Sequence, residues 1–208
     1  VDPGGCPYSE KIGHSAAADR GSSHRRRHLH RKCRSREYHS GRSKVKIERY
    51  TKVEKALSER GIEFEAVAHE PALTTEQADR FIEGIEGVRT KTMFLTNKKK
   101  TAWYLLIMDD IKRLDMMRFG EIVGSKRIKM ASPDSLFEKM ELPPGVVSPF
   151  GLLNNADKDI SVYIDREILG AGRMSFHPNT NEKTIFIQTP DLIDFVASLG
   201  YDVNVVDL

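Results

Sequence analysis

The composition of this 208-residue chain changes abruptly near residue 45, and only the part beyond that point carries enough apolar side chains to build a core. Residues 1–44 hold eleven Lys or Arg against four acids, five of the seven His, both Cys, and almost no Val, Ile, Leu or Phe. Such a segment cannot bury enough surface to offset the entropy of ordering, so a disordered basic arm is expected there. The arm carries +7 and the remaining 164 residues −4, so the overall +3 describes neither part. The tract from Arg25 to Lys32 could attract RNA phosphates without reading sequence. The plainer reading is a solvated tail or a non-native extension. Cys6 and Cys33 lie too far apart for a zinc-type pair.

Residues 45–208 form the expected folded domain. They contain no cysteine, which removes disulfide staples and thiol catalysis from consideration. They also contain no apolar run of about 18 residues, so no membrane-spanning helix is expected and a soluble cytoplasmic protein is the default.

Periodicity supplies the elements. Val53, Ala56 and Leu57 predict a helix over 47–60 that Gly61 ends, and Ile62, Phe64 and Ala66 alternate with Glu63 and Glu65 as in a half-buried strand. Thr74 and Gln77 have capping-box spacing for a helix to about Glu83. Two apolar runs, 93–95 and 103–108, flank the charged turn 97–100 and predict a hairpin. Asp115 should cap a helix to Ile122, Ser132-Pro133 should open another, and short strands are expected at 128–130, 160–164 and 184–188. Thr189-Pro190 has the same cap-plus-proline form and should open a last helix, ending at Gly200. The irregular interleaving, with no GxGxxG loop, predicts a mixed α/β sheet rather than a doubly wound one.

The body has no HExxH, GxSxG or Walker motif and no paired zinc ligands. A hydrolase built on it would have to rely on positioned water, backbone amides and groups supplied by the substrate. Three clusters stand out. Lys91 enters an apolar strand in Thr90-Lys91-Thr92-Met93-Phe94-Leu95, a place where a lysine is commonly a solvated flank. Residues 143–154 form a turn stiffened by prolines and punctuated by glycines, for which, taken alone, an ordinary connection is the plainer reading. Phe176-His177-Pro178-Asn179-Thr180-Asn181 is a polar loop ahead of a strand. Met93, Met108 and Met174 suit either a pocket lining or core packing.

Taken in order, these clusters resemble the YbaK/prolyl-tRNA synthetase editing-domain family from about residue 47 to the C-terminus. The strand around Lys91 is similar to the family's lysine-bearing strand. Gly145-Val146-Val147-Ser148-Pro149 fits its GxxxP loop, and His177-Pro178 with Asn181 and Thr184 resembles its HP-x-x-N segment. Val147 to Leu152 and the length of the body look most like the freestanding trans-editing branch. The resemblance implies a YbaK-like fold with a central mixed, partly barrel-like sheet and flanking helices. It also implies hydrolysis of mischarged tRNA for proline, above all alanyl-tRNA. The partners implied are the tRNA acceptor end and prolyl-tRNA synthetase, with no cofactor and no metal.

Residue by residue, the resemblance assigns catalysis to Lys91, Gly145, Val146, Val147 and Ser148, the loop acting through backbone amides. It assigns substrate binding to Lys91, Thr92, Pro149, Phe150, His177, Asn181 and Thr184. Pro149 has no N–H to give. An ordinary lysine is an ammonium at neutral pH, so Lys91 is expected to anchor the terminal phosphate or ribose while the substrate 2′-hydroxyl helps activate water. His177 is expected to orient substrate rather than shuttle protons. The sequence departs from the family pattern at Glu182-Lys183, where small or hydroxyl residues are expected, and at Thr92, where the alanine-clearing branch often has Asn. A non-catalytic module that senses amino acid or aminoacyl-tRNA would keep the same pocket and is the alternative.

Overall fold

A computed structural model describes residues 35–72 and 74–208. Most of the basic arm, including Cys6, Cys33 and the 25–32 tract, lies outside the described residues.

The chain opens with α1 (Ser35–Ser58), which begins inside the basic segment, well before the predicted start at 47. Val53, Ala56 and Leu57 form its buried stripe, and Gly61 follows at φ +66°. Next come β1 (Phe64–Ala68) and α2 (Thr75–Phe81), whose cap is Thr74, its hydroxyl accepting from the Gln77 amide. The expected hairpin is β2 (Val88–Thr96) with β3 (Trp103–Asp109). Asp115 caps α3 (Met116–Ile122) through the amides of Met117 and Arg118, and β4 (Lys129–Met130) follows. Ser132 caps α4 (Pro133–Met140) through the Ser135 amide.

The stretch Pro149–Asn154 is a 3-10 helix, followed by β5 (Ile160–Asp165) and a second 3-10 turn, Arg166–Gly170. Strands β6 (Arg173–Phe176) and β7 (Lys183–Gln188) lead to α5 (Thr189–Ser198) and β8 (Val203–Val206). Thr189 is not the cap of α5. It is the first helical residue, and its hydroxyl donates to the Ala171 carbonyl.

The eight strands form one mixed sheet in the order β1-β7-β6-β2-β3-β5-β8, with β4 added to β2. β2 changes partners along its length. Val88 and Arg89 run parallel to β6, whereas Thr90 to Thr96 run antiparallel to β3. The halves on either side of β2 bury residues in the same cluster: Met174, Phe176, Ile185 and Ile187 from one, Leu105, Ile107, Val162 and Ile164 from the other. Helices α1, α4 and α5 fill that cluster with Leu57, Met140 and Phe195, so the sheet wraps around a shared core. Tyr104, Leu106 and Met108 on the opposite face of β3 pack with Phe119 of α3. β3 is therefore buried on both faces, which is why its sequence reads as an unbroken apolar run.

Candidate active site

A cleft of about 450 Å³ lies beside Lys91, near where β2 exchanges β6 for β3 as its partner. Its walls come from α2, the first half of β2, the end of β6, the loop before the first 3-10 helix and the loop before β7. Lys91, Thr92, Gly145, Val146, Val147, His177, Asn181 and Thr184 all line it, so eight residues from three separated sequence clusters meet at one place.

Lys91 does not project freely. Its ammonium donates to the carbonyl of Asp110 at 2.8 Å and to the carbonyl of Lys112. The loop presenting those carbonyls is itself pinned, because the Lys112 ammonium bonds Asp165 at 2.8 Å and Glu167 at 2.9 Å. Burial pulls Lys112 down, but the bonds to these two carboxylates together hold it above its ordinary value. An ammonium has three donors, and two of those of Lys91 are used on carbonyls. The third is left for a substrate oxygen.

Opposite Lys91, Pro144 and Gly145 form a turn in which Gly145 takes φ +88°. A side-chain-bearing residue enters that conformation only with strain. Val146 packs in the main core cluster and also borders the cleft. Val147 lines the cleft, and its amide has no hydrogen-bond partner among the described residues. Ser148 turns away. Its buried hydroxyl donates to Oδ1 of Asn179 at 2.9 Å, and Asn179 is held at φ +57°. This clasp joins the 145–149 loop to the loop carrying His177.

His177 places Nδ1 3.1 Å from the Lys183 carbonyl, which requires Nδ1 to carry the proton and leaves Nε2 as an acceptor. Burial lowers its pKa below the ordinary value, so the ring is neutral at physiological pH. Its neighbour His69 bonds the Glu70 carbonyl through Nδ1 and Thr184 Oγ1 through Nε2, and stacks on Phe81 with ring centroids 4.9 Å apart. Asn181 donates to the Ala72 carbonyl and accepts on its own carbonyl from the Ala72 amide, tying the start of α2 to the histidine loop. Asp79 on α2 is the sole acidic residue lining this cleft among the described residues. It hydrogen-bonds Asp110, whose carboxyl is pushed up to about 6 by burial first and then by its neighbours Asp79 and Asp109.

Three expected site residues stand back from the cleft. The Ser148 hydroxyl is spent on the clasp, which leaves its backbone amide uncommitted among the described residues. Pro149 opens the 3-10 helix as a buried residue, and Phe150 is wholly buried between Phe176 and Phe195. None of the three lines the cleft, because the chain turns inward after Val147. Met108 and Met174 are core residues with no exposed surface and Met93 packs against the second cluster, whereas Met130 does line the cleft. The departures at Glu182 and Lys183 serve α1. Glu182 pairs with Lys46 at 2.5 Å, and the Lys183 ammonium sits 3.9 Å from the Tyr50 ring centre. Sequence reasoning missed Asp79, His69 and Asn179, since their partners are distant in the chain.

A second cleft, of about 470 Å³, lies against β1 and β7. Its Arg173 is already paired with Glu65 at 2.6 Å, and none of the expected site residues lines it.

Comparison with known proteins agrees with the geometry. Residues 69–195 match the model of the aminoacyl-tRNA editing domain. The chain is 29% identical over 153 residues to the prolyl-tRNA editing protein ProX of Acetoanaerobium sticklandii, covering 73% of this chain and 93% of that protein. It is 28% identical to the mouse prolyl-tRNA synthetase associated domain-containing protein 1, covering 72% of this chain and 90% of the relative. A solved structure described as a candidate trans-editing enzyme for prolyl-tRNA synthetase superposes with a TM-score of 0.63 at 21% identity, covering 77% of this chain and 96% of the other. The chain belongs to the aminoacyl-tRNA editing domain family, and with it to the aminoacyl-tRNA deacylases.

Proposed function

We propose that the protein hydrolyses the ester of mischarged tRNA for proline in trans, with alanyl-tRNA as the preferred substrate and the body, not the arm, as the active part. The observation that carries this reading is the convergence of Lys91, the Gly145–Val147 backbone and His177 on one cleft.

In this scheme the third N–H of Lys91 holds a terminal phosphate or ribose oxygen. The Val147 amide donates to the oxyanion that develops on the ester carbon, an interaction worth roughly 2.7–4 kcal/mol in related chemistry. The neutral His177 accepts from a substrate hydroxyl through Nε2, and the ribose 2′-hydroxyl next to the ester helps activate water. Apolar walls at Ala72, Val147 and Phe176 suit a small alkyl side chain. A proline-shaped synthetase pocket excludes alanine poorly, since missing methylenes are worth only about 1–3 kcal/mol, so a second hydrolytic site adds fidelity. Charging takes place in the cytoplasm, and prolyl-tRNA synthetase is the natural neighbour there. Among the described residues no helix is long and apolar enough to cross a membrane.

The test is deacylation of alanyl- and prolyl-tRNA for proline by the wild type and by Lys91→Ala. The wild type should clear the alanyl ester and spare the prolyl ester, and Lys91→Ala should lose on the order of 100-fold in kcat/KM. Full activity in the variant would remove Lys91 from the site. Binding of the charged end with no turnover by excess wild type would establish the sensing module instead.

A further inference from the structure

The charges on the cleft wall point to how the amino acid itself is recognised. Among the described residues the wall carries one ammonium, Lys91, and one carboxylate, Asp79. Lys91 spends two donors on backbone carbonyls and none on a carboxylate. Among the described residues no Lys, Arg or His forms an ion pair with Asp79 or with its hydrogen-bonded neighbour Asp110. Burial holds the facing His177 below its ordinary pKa although Asp79 pulls it upward. Two carboxyls in contact at a partly buried cleft wall, with no ion-paired cation, repel each other unless a ligand brings a positive charge. An aminoacyl-tRNA end carries anionic phosphates and a single cationic group, the α-ammonium of the amino acid.

We infer that the Asp79 carboxylate receives the α-ammonium of the aminoacyl ester while Lys91 holds the nucleotide end, so that two opposite charges on the cleft wall set the direction in which the substrate lies. This rests on the deacylase reading. Asp79 is then a substrate-binding residue, and Asp110, which touches Asp79 with its carboxyl and Lys91 with its carbonyl, positions both.

The test compares alanyl-tRNA with lactyl-tRNA, the same ester with a hydroxyl in place of the α-ammonium, using wild type and Asp79→Asn. The variant should lose roughly 10- to 100-fold in kcat/KM on the alanyl ester, as expected for a charge-assisted hydrogen bond, and less than about 2-fold on the lactyl ester. Retained lactyl hydrolysis also shows that the variant folds. Equal losses on both esters, or no loss on either, would overturn the assignment. Failure of the wild type on both esters would refute the deacylase reading itself and this inference with it.

Discussion

Replacing Ser148 with Ala tests whether the cleft depends on the clasp behind it. Ser148 and Asn179 are 0% and 1% exposed, so neither has water as a substitute partner, and their side chains meet at 2.9 Å. Ser148→Ala leaves the Asn179 Oδ1 acceptor buried and unsatisfied, which costs about 1–3 kcal/mol. Taking about 2 kcal/mol, the midpoint of thermal unfolding should fall by roughly 4–8 °C for a domain of this size. Asn179 sits at φ +57°, a conformation that Gly adopts without strain, so Asn179→Gly removes the acceptor while keeping the backbone. Denaturant titrations of the two single variants and the double variant close the cycle. Ser148→Ala should cost about 2 kcal/mol in the wild type and less than about 0.5 kcal/mol once Asn179 is Gly. An equal cost in both backgrounds, or none in either, would refute the clasp. Deacylase activity of Ser148→Ala, assayed well below the unfolding transition, should fall because the Val147 amide loses its fixed aim.

Gly145→Ala forces a side chain onto a residue at φ +88° where nothing lies within 4 Å to clash. The loss of about 1–2 kcal/mol in stability should therefore come from backbone strain alone, and a loop that relaxes should lower kcat more than it raises KM. His177 acts as an acceptor only when neutral, and its depressed pKa keeps it neutral until the pH is acidic. The acid limb of kcat/KM that depends on His177 should therefore have its midpoint below that of an ordinary histidine. A midpoint above pH 7 would contradict the buried, neutral ring.

Local physics made much of the fold legible. The caps at Thr74, Asp115 and Ser132 bond amides two or three residues away, so the pattern and its partner share one window of sequence. β6 and β8 escaped notice because each is a four-residue strand whose parallel pairing partner, β2 or β5, is remote in the chain. Thr189-Pro190 looked like the other caps, yet its hydroxyl found the Ala171 carbonyl across the fold instead. The site followed the same division. Lys91, the 145–147 turn and His177 were recognisable by family resemblance. Asp79 owes its place to Asp110, and Asn179 to Ser148, pairings that no local pattern announces. The burial of Phe150 was not legible either, because the motif names the residue whereas the turn after Val147 decides which way it faces.

The exchange of partners along β2 has a further consequence for how this protein tolerates insertion and deletion. Lys91 comes two residues after Arg89, the last to pair with β6, and successive strand residues point to opposite faces. Removing Thr90 would leave the apolar composition untouched and still send the Lys91 ammonium to the wrong side of the sheet, away from the carbonyls of Asp110 and Lys112. The loop at 97–100 could be lengthened or shortened with little effect on the cleft. Change in chain length is therefore cheap at one end of this strand and disabling at the other.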